Sequence, residues 1–212
     1  VTTMTETPQP GKAPAGVSSG APGIGTSDSP ASQYVTHLHR LSSGFDSRKS
    51  LMALRASLGH RDGWAPEAAP LVTEFLPPAL EGASPAVRRR QAAVRRTYFT
   101  MGGLFALWHL NHASNIRADE GEHGERNLGD ALAALSRTSP IQTEALAKDL
   151  VSFSRDQVDG VLHRVVIAMA KEDVRVPWYS LASDLLVVRK SWRQVQRSWA
   201  EHYYRTASRP RR

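Results

Sequence analysis

Residues 84–110 read SPAVRRRQAAVRRTYFTMGGLFALWHL, and this segment decides the fold class. Ser84-Pro85 is a helix start: a hydroxyl that can accept from an orphan backbone N–H, then a residue whose missing N–H and fixed φ suit the first helical position. At about 100° per residue, Val87, Val94, Tyr98, Met101, Phe105 and Trp108 cluster on one side, expected to face a core. Five arginines (Arg88, Arg89, Arg90, Arg95, Arg96) fill the first half, with no acidic residue in the segment. Arg88 superposes on Arg95 and Arg89 on Arg96, the two pairs about a quarter-turn apart and clear of the apolar side. Arg90 falls near the far edge of that side. Gly102-Gly103 costs about 1 kcal/mol per glycine against alanine inside a helix, so close approach of another helix is expected there. Four grouped, uncompensated cations point to an anionic partner, against the plainer reading of a solvated charged face.

Working outward, the helical rhythm continues on both sides. Tyr34, Val35, Leu38 and Leu41 are spaced three and four apart and stop at Ser43-Gly44. Asp46 or Ser47 caps a second helix carrying Leu51, Leu54 and Leu58, which ends at Gly59. A third is expected over about 66–75, closed by Pro77-Pro78. On the C-terminal side, Leu128, Leu132 and Leu135 mark one helix, and Ser139-Pro140 opens another with Ile141, Leu146 and Leu150. Ser154 and Gln157 form a capping box before Val158, Val161, Leu162, Val165 and Met169. Pro177 opens the last stretch, in which Trp178, Leu181, Leu185 and Val188, then Trp192, Val195, Trp199 and Tyr203, keep the same period. The tryptophans at this spacing are expected in the core. No stretch alternates with period two. The expected fold is all-α, eight to nine short helices in two small helical-bundle subdomains.

The expected organisation is a disordered tail over 1–31, an N-terminal helical subdomain over 32–112, an acidic surface loop over 113–126, a C-terminal helical subdomain over 127–206 and a basic tail over 207–212. The tail is Pro, Gly, Ser, Thr and Ala, too poor in large apolar residues to offset chain entropy. It shows no charged segment followed by an apolar core, so no secretory leader is expected. No apolar run approaches the roughly 18 residues of a membrane span, and a cytoplasmic location is expected.

The chain has 212 residues, 27 Lys+Arg against 20 Asp+Glu, and a sequence pI near 10.1. Most of the positive charge is arginine, whose planar fork matches phosphate oxygens, although a GC-rich genome produces the same bias. The charge is segregated: residues 117–160 carry five basic and nine acidic side chains, and residues 189–212 carry eight basic and one acidic. With no cysteine, disulfides, thiolate catalysis and Cys-based zinc sites are excluded. His109, His112 and His123, with Asp119 or Glu120, form the only grouping that invites comparison with a metal site, and no pattern of residues is placed to orient them as ligands. No HExxH, phosphate loop or nucleophile elbow occurs. The expectation is no catalytic residue, no metal and no cofactor.

Six segments carry a resemblance when taken in order: LSSGFDSRKSLMALRASLG (41–59), NLGDALAAL (127–135), QTEALAKDLV (142–151), VLHRVVIAMA (161–170), VPWYSLASDLL (176–186) and WAEHYYR (199–205). From about Tyr34 to Tyr204 the chain resembles CasB, the small subunit of the type I-E CRISPR surveillance complex, Cascade. That resemblance implies two helical subdomains and two head-to-tail copies in the belly of the complex. It implies contact with the backbone and large subunits, and binding without catalysis of guide RNA, target DNA and the displaced non-target strand. Arg55, Arg137 and Arg164 match the family best; Arg48 and Lys49 follow from proximity to its motif. Arg88, Arg89, Arg95 and Arg96 rest on helix geometry alone. The chain departs from the family at Asp130 and at His163-Arg164, where arginines are frequent. Two other readings are a free-standing helix-turn-helix DNA-binding regulator, which would need a polar recognition helix after a tight turn, and a metal-dependent nuclease built on His109, His112 and the acidic loop.

Overall fold

Twelve consecutive residues, Thr97 to Trp108, are buried on every side of one helix, so other helices must surround it. The computed structural model describes residues 29–60, 64–112, 127–154 and 156–208. Residues 1–28 of the expected tail, the acidic loop with His123, and residues 209–212 lie outside them, whereas 29–31 cap and begin the first helix. The described residues form eight α-helices and two single-turn 3-10 segments, with no strand. The helices are α1 (Pro30–Ser43), α2 (Ser47–Ala56), α3 (Ala69–Val72), α4 (Pro85–Asn111), α5 (Leu128–Leu135), α6 (Pro140–Ser152), α7 (Val158–Lys171) and α8 (Trp178–Ala207).

The central post is α4, packed against α1, α2, α7 and α8. Its two glycines make room for side chains of α1, of α2 and of the 3-10 turn that follows α2. A Cβ on Gly102 would stand 2.5 Å from the Tyr34 hydroxyl oxygen and 2.9 Å from Leu54 Cδ2, and one on Gly103 would stand 2.6 Å from Leu58 Cγ. Tyr34 donates to the Tyr98 carbonyl at 3.0 Å, and Trp108 Nε1 donates to the Val174 carbonyl at 3.1 Å, so both buried polar ends are satisfied. Around the other end, α5 and α6 lie against α8, with α7 bridging back to α4. The buried side chains form one continuous cluster from Ala31 to Trp199.

Several expectations change in detail. The first helix begins at Pro30, not 32, because Ser29 caps it by accepting from the Ser32 N–H at 3.1 Å. The third helix shrinks to α3 plus a 3-10 turn over Thr73–Phe75. Two helices are not short: α4 has 27 residues and α8 has 30, bent at Ser191. Val87 is exposed, because the first turns of α4 extend past the helices that cover the rest. Ile141 is 88% exposed; α6 instead buries Thr143, Leu146, Ala147 and Leu150. Of the Ser154–Gln157 box, the Gln157 side chain accepts from the Ser154 N–H at 2.9 Å, and the Ser154 hydroxyl makes no return bond within the box. After α7, Asp173 adopts φ 57 in a Schellman turn, and its carboxylate meets His112 Nε2 at 2.8 Å.

Candidate nucleic-acid interface

Helix α4 starts as read: Ser84 Oγ accepts from the Val87 N–H at 3.4 Å. Arg88 Nη1 donates to the Ala83 carbonyl at 3.0 Å, and Gln91 Nε2 donates to the Pro78 carbonyl at 2.8 Å, which pins the preceding loop to the helix. Arg88, Arg89, Arg90 and Arg95 are all exposed and have no acidic partner among the described residues. Since residues 84–90 stand clear of the core on every side, Arg90 is as accessible as its neighbours. Three arginines beside the positive end of a helix dipole repel both it and each other. That arrangement costs stability in isolation, and an anion placed there would relieve it.

Arg96 differs from Arg95. Its Nη2 lies 2.5 Å from Asp159 Oδ2, a pair that ties α4 to the first turn of α7. Farther along α7, Arg164 pairs with Asp149 of α6 at 2.7 Å, with both side chains about half exposed. Between them, His163 is held below the ordinary imidazole range by its burial first, then by the guanidiniums of Arg55 and Arg164. Arg55 of α2 and Arg164 of α7, over a hundred residues apart in the chain, are thus both near enough to His163 to act on it through their charge.

Arg48 and Lys49 lie exposed on the first turn of α2, beside the exposed Phe45 and Met52. Arg137 follows α5, exposed and paired with none of the others among the described residues. Asp130 has a local structural role. With Asn127 it forms a capping box, Asn127 Oδ1 accepting from the Gly129 and Asp130 N–H groups and Asp130 accepting from the Asn127 N–H at 3.2 Å. Sequence reasoning misses a second group of exposed cations on α8: Lys190, Arg193 and Arg197. Their signal is the charge count over 189–212, masked by the periodicity that assigns Trp192, between them, to the core.

The histidines are otherwise engaged. His109 sits 4.3 Å from Phe105 and 4.9 Å from Trp108 by ring centroids, and burial, with His39 and His112 nearby, holds its pKa down at about 4. His112 stacks on Trp108 at 4.2 Å. Among the described residues no three His, Asp or Glu side chains converge as a metal site requires, and no helix is long and apolar enough to cross a membrane.

The family model described as CRISPR-associated protein Cse2 matches residues 50–204. Three solved structures are similar. A Cse2-family CRISPR-associated protein from Thermus thermophilus is 26% identical, with a TM-score of 0.60, covering 83% of this chain and 98% of its own. CasB from Thermus thermophilus is 26% identical, with a TM-score of 0.58 and the same coverage. CasB from M. ruber is 24% identical, with a TM-score of 0.63, covering 85% of this chain and 95% of its own, and shows the fold. No curated protein sequence matches.

Proposed function

The chain belongs to the Cse2 family of CRISPR-associated proteins, and from that membership we propose that it is a non-catalytic small subunit of a type I-E, RNA-guided DNA surveillance complex. In this reading its basic surface steadies the heteroduplex of guide RNA and target and holds the displaced non-target strand. The single observation that carries the reading is the exposed, acid-free start of α4, where Arg88, Arg89 and Arg95 have no acidic partner among the described residues. Arg55 of α2 and Arg164 of α7 extend the basic surface to the neighbourhood of His163, Arg164 doing so while paired with Asp149. Guanidiniums at these positions meet phosphate without reading bases, which suits a complex in which pairing to the guide supplies sequence specificity. The partners are guide RNA, target and non-target DNA, the backbone and large subunits, and a second copy placed head to tail; the location is the cytoplasm. The units over 32–112 and 127–206 act as two subdomains on one shared core.

Arg89→Glu/Arg95→Glu is the test pair, because Arg96 is committed to Asp159. Assembled complexes carrying it are expected to elute with guide RNA and the multi-copy subunits, and to lose R-loop lifetime on a matched duplex as salt rises. An unchanged lifetime in a correctly assembled complex would remove the arginine helix from the contact surface. Failure of the wild-type chain to elute with guide RNA would remove the complex itself.

A further inference from the structure

The bend in α8 creates a second basic surface, about a hundred residues along the chain from the arginine helix. Ser191 has φ −128 and ψ 42, outside the helical region. Immediately after it, Trp192, Arg193, Gln196, Arg197 and Ala200 line an open groove shared with Val151 of α6. The groove is held in shape from below: Gln196 Nε2 donates to the Phe153 carbonyl at 3.3 Å, and the Trp192 ring packs on Phe153 at 6.1 Å. Trp192 remains part-exposed, and the Arg193 guanidinium carbon lies 5.3 Å from its ring centroid. Arg193 and Arg197 are exposed one helical turn apart, about 6 Å along the axis. Neither forms an ion pair among the described residues, although Glu201 follows Arg197 by four positions.

An apolar floor, two guanidiniums without an ion pair among the described residues and a partly exposed indole with a cation on its face are the parts of a single-strand platform. Phosphates take the guanidiniums, and a base finds a π-surface that is indifferent to its identity. An acidic peptide would satisfy the charges and leave the indole unused. We propose that the α6–α8 groove at Trp192, Arg193 and Arg197 binds a short stretch of single-stranded nucleic acid, as a site separate from the arginine helix. This inference rests on the reading of the chain as a subunit that holds nucleic acid, and it adds a place on the surface that the reading did not use.

The test uses the full chain with fluorescein-labelled dT20 and rU20, titrated by anisotropy across a salt series. Arg193→Ala/Arg197→Ala is compared with Arg89→Ala/Arg95→Ala. The α8 pair is expected to lower the salt slope by about 1.4, at about 0.7 per single-strand phosphate contact, with an unchanged melting temperature because both side chains are exposed. Iodouracil-substituted oligonucleotide is expected to crosslink at Trp192. Loss of slope with dT20, rU20 or both supports the groove and tells which strand chemistry it accepts. An unchanged slope for the α8 pair, with a lowered one for the α4 pair, overturns the groove and leaves the proposed function standing. Unchanged slopes for both pairs overturn both. A polyglutamate peptide that displaces the crosslink as well as an oligonucleotide of equal charge also overturns it, since the groove would then take any polyanion.

Discussion

Asp130 of α5 accepts a hydrogen bond from His202 Nδ1 of α8 at 2.8 Å. The same carboxylate accepts from Thr206 Oγ1 at 2.6 Å and from the Asn127 N–H at 3.2 Å, so one side chain closes the start of α5 and holds the last turns of α8. Asp130→Ala is expected to cost about 2 kcal/mol, the sum of a lost capping box and charge-assisted hydrogen bonds. In a chain of this size that is a fall of roughly 4–8 °C in melting temperature. Burial alone would raise the Asp130 pKa, but its bonds from Thr206, His202 and Asn127 outweigh that and leave it below the ordinary carboxylate value. Its stabilisation is therefore present above the unfolded carboxylate pKa and is lost as pH falls through the folded value, so wild type and Asp130→Ala should converge in acid.

Gly129 lies against the backbone of α8 at Trp199, where an added Cβ would overlap the carbonyl oxygen. A backbone neighbour cannot change rotamer. Gly129→Ala is expected to force α5 off α8 at a cost of about 3 kcal/mol. Gly44→Ala is the control: its Cβ would meet nothing closer than 3.6 Å at a φ of −78, and it should change stability by less than about 0.5 kcal/mol. Denaturant melts of the two variants measure the difference.

Adjacent arginines on α4 should behave differently. Arg96→Ala loses the Asp159 pair, worth up to about 1 kcal/mol because both side chains are partly exposed. Arg95→Ala should leave stability within about 0.5 kcal/mol and weaken binding of a single strand. A double-mutant cycle on Arg96 and Asp159 isolates the pair, and a coupling near zero would return Arg96 to the binding surface.

Two partly buried groups pull the pH dependence in opposite directions. Burial pushes the Asp184 carboxyl up to about 6, even though it accepts from Trp199 Nε1 at 2.6 Å and His202 lies near. The folded state then binds the proton more tightly than the unfolded one, and this contribution falls as pH rises from about 4 to 6. His109, held down at about 4, does the reverse: the unfolded state binds the proton more tightly, and its contribution grows as pH rises from about 4 to 6.5. Melting temperatures across that window should slope more steeply upward in Asp184→Asn, which keeps an acceptor for Trp199, and should tilt downward relative to wild type in His109→Phe. Parallel curves for all three proteins would show that neither group titrates differently on folding.

Local signals carried most of the secondary structure. Ser84-Pro85, Ser139-Pro140 and the three-four spacing in α7 and α8 act through residues within a turn or two of one another, and these helices form where expected. Gly102-Gly103 also marked a real close approach, because a helix tolerates two glycines only when something fills their place. The candidate site was legible as charge and not as geometry. That Arg96 is spent on Asp159, that Arg164 meets Asp149, and that Arg55 lies near His163 depend on how α2, α4, α6 and α7 pack.

The contrast is sharpest at Trp192 and Trp199. They stand seven residues apart on one helical stripe, and periodicity treats them alike. Trp199 is fully buried and bonded to Asp184, whereas Trp192, next to the bend at Ser191, opens onto a basic groove. By itself the sequence determined an all-helical chain, the ends of most helices and an acid-free arginine segment, because helix propensity, capping and charge are properties of neighbours in the chain. Only the tertiary structure decided which apolar residues are covered and which cations are left unpaired, because burial and ion pairing depend on what distant segments bring against each surface.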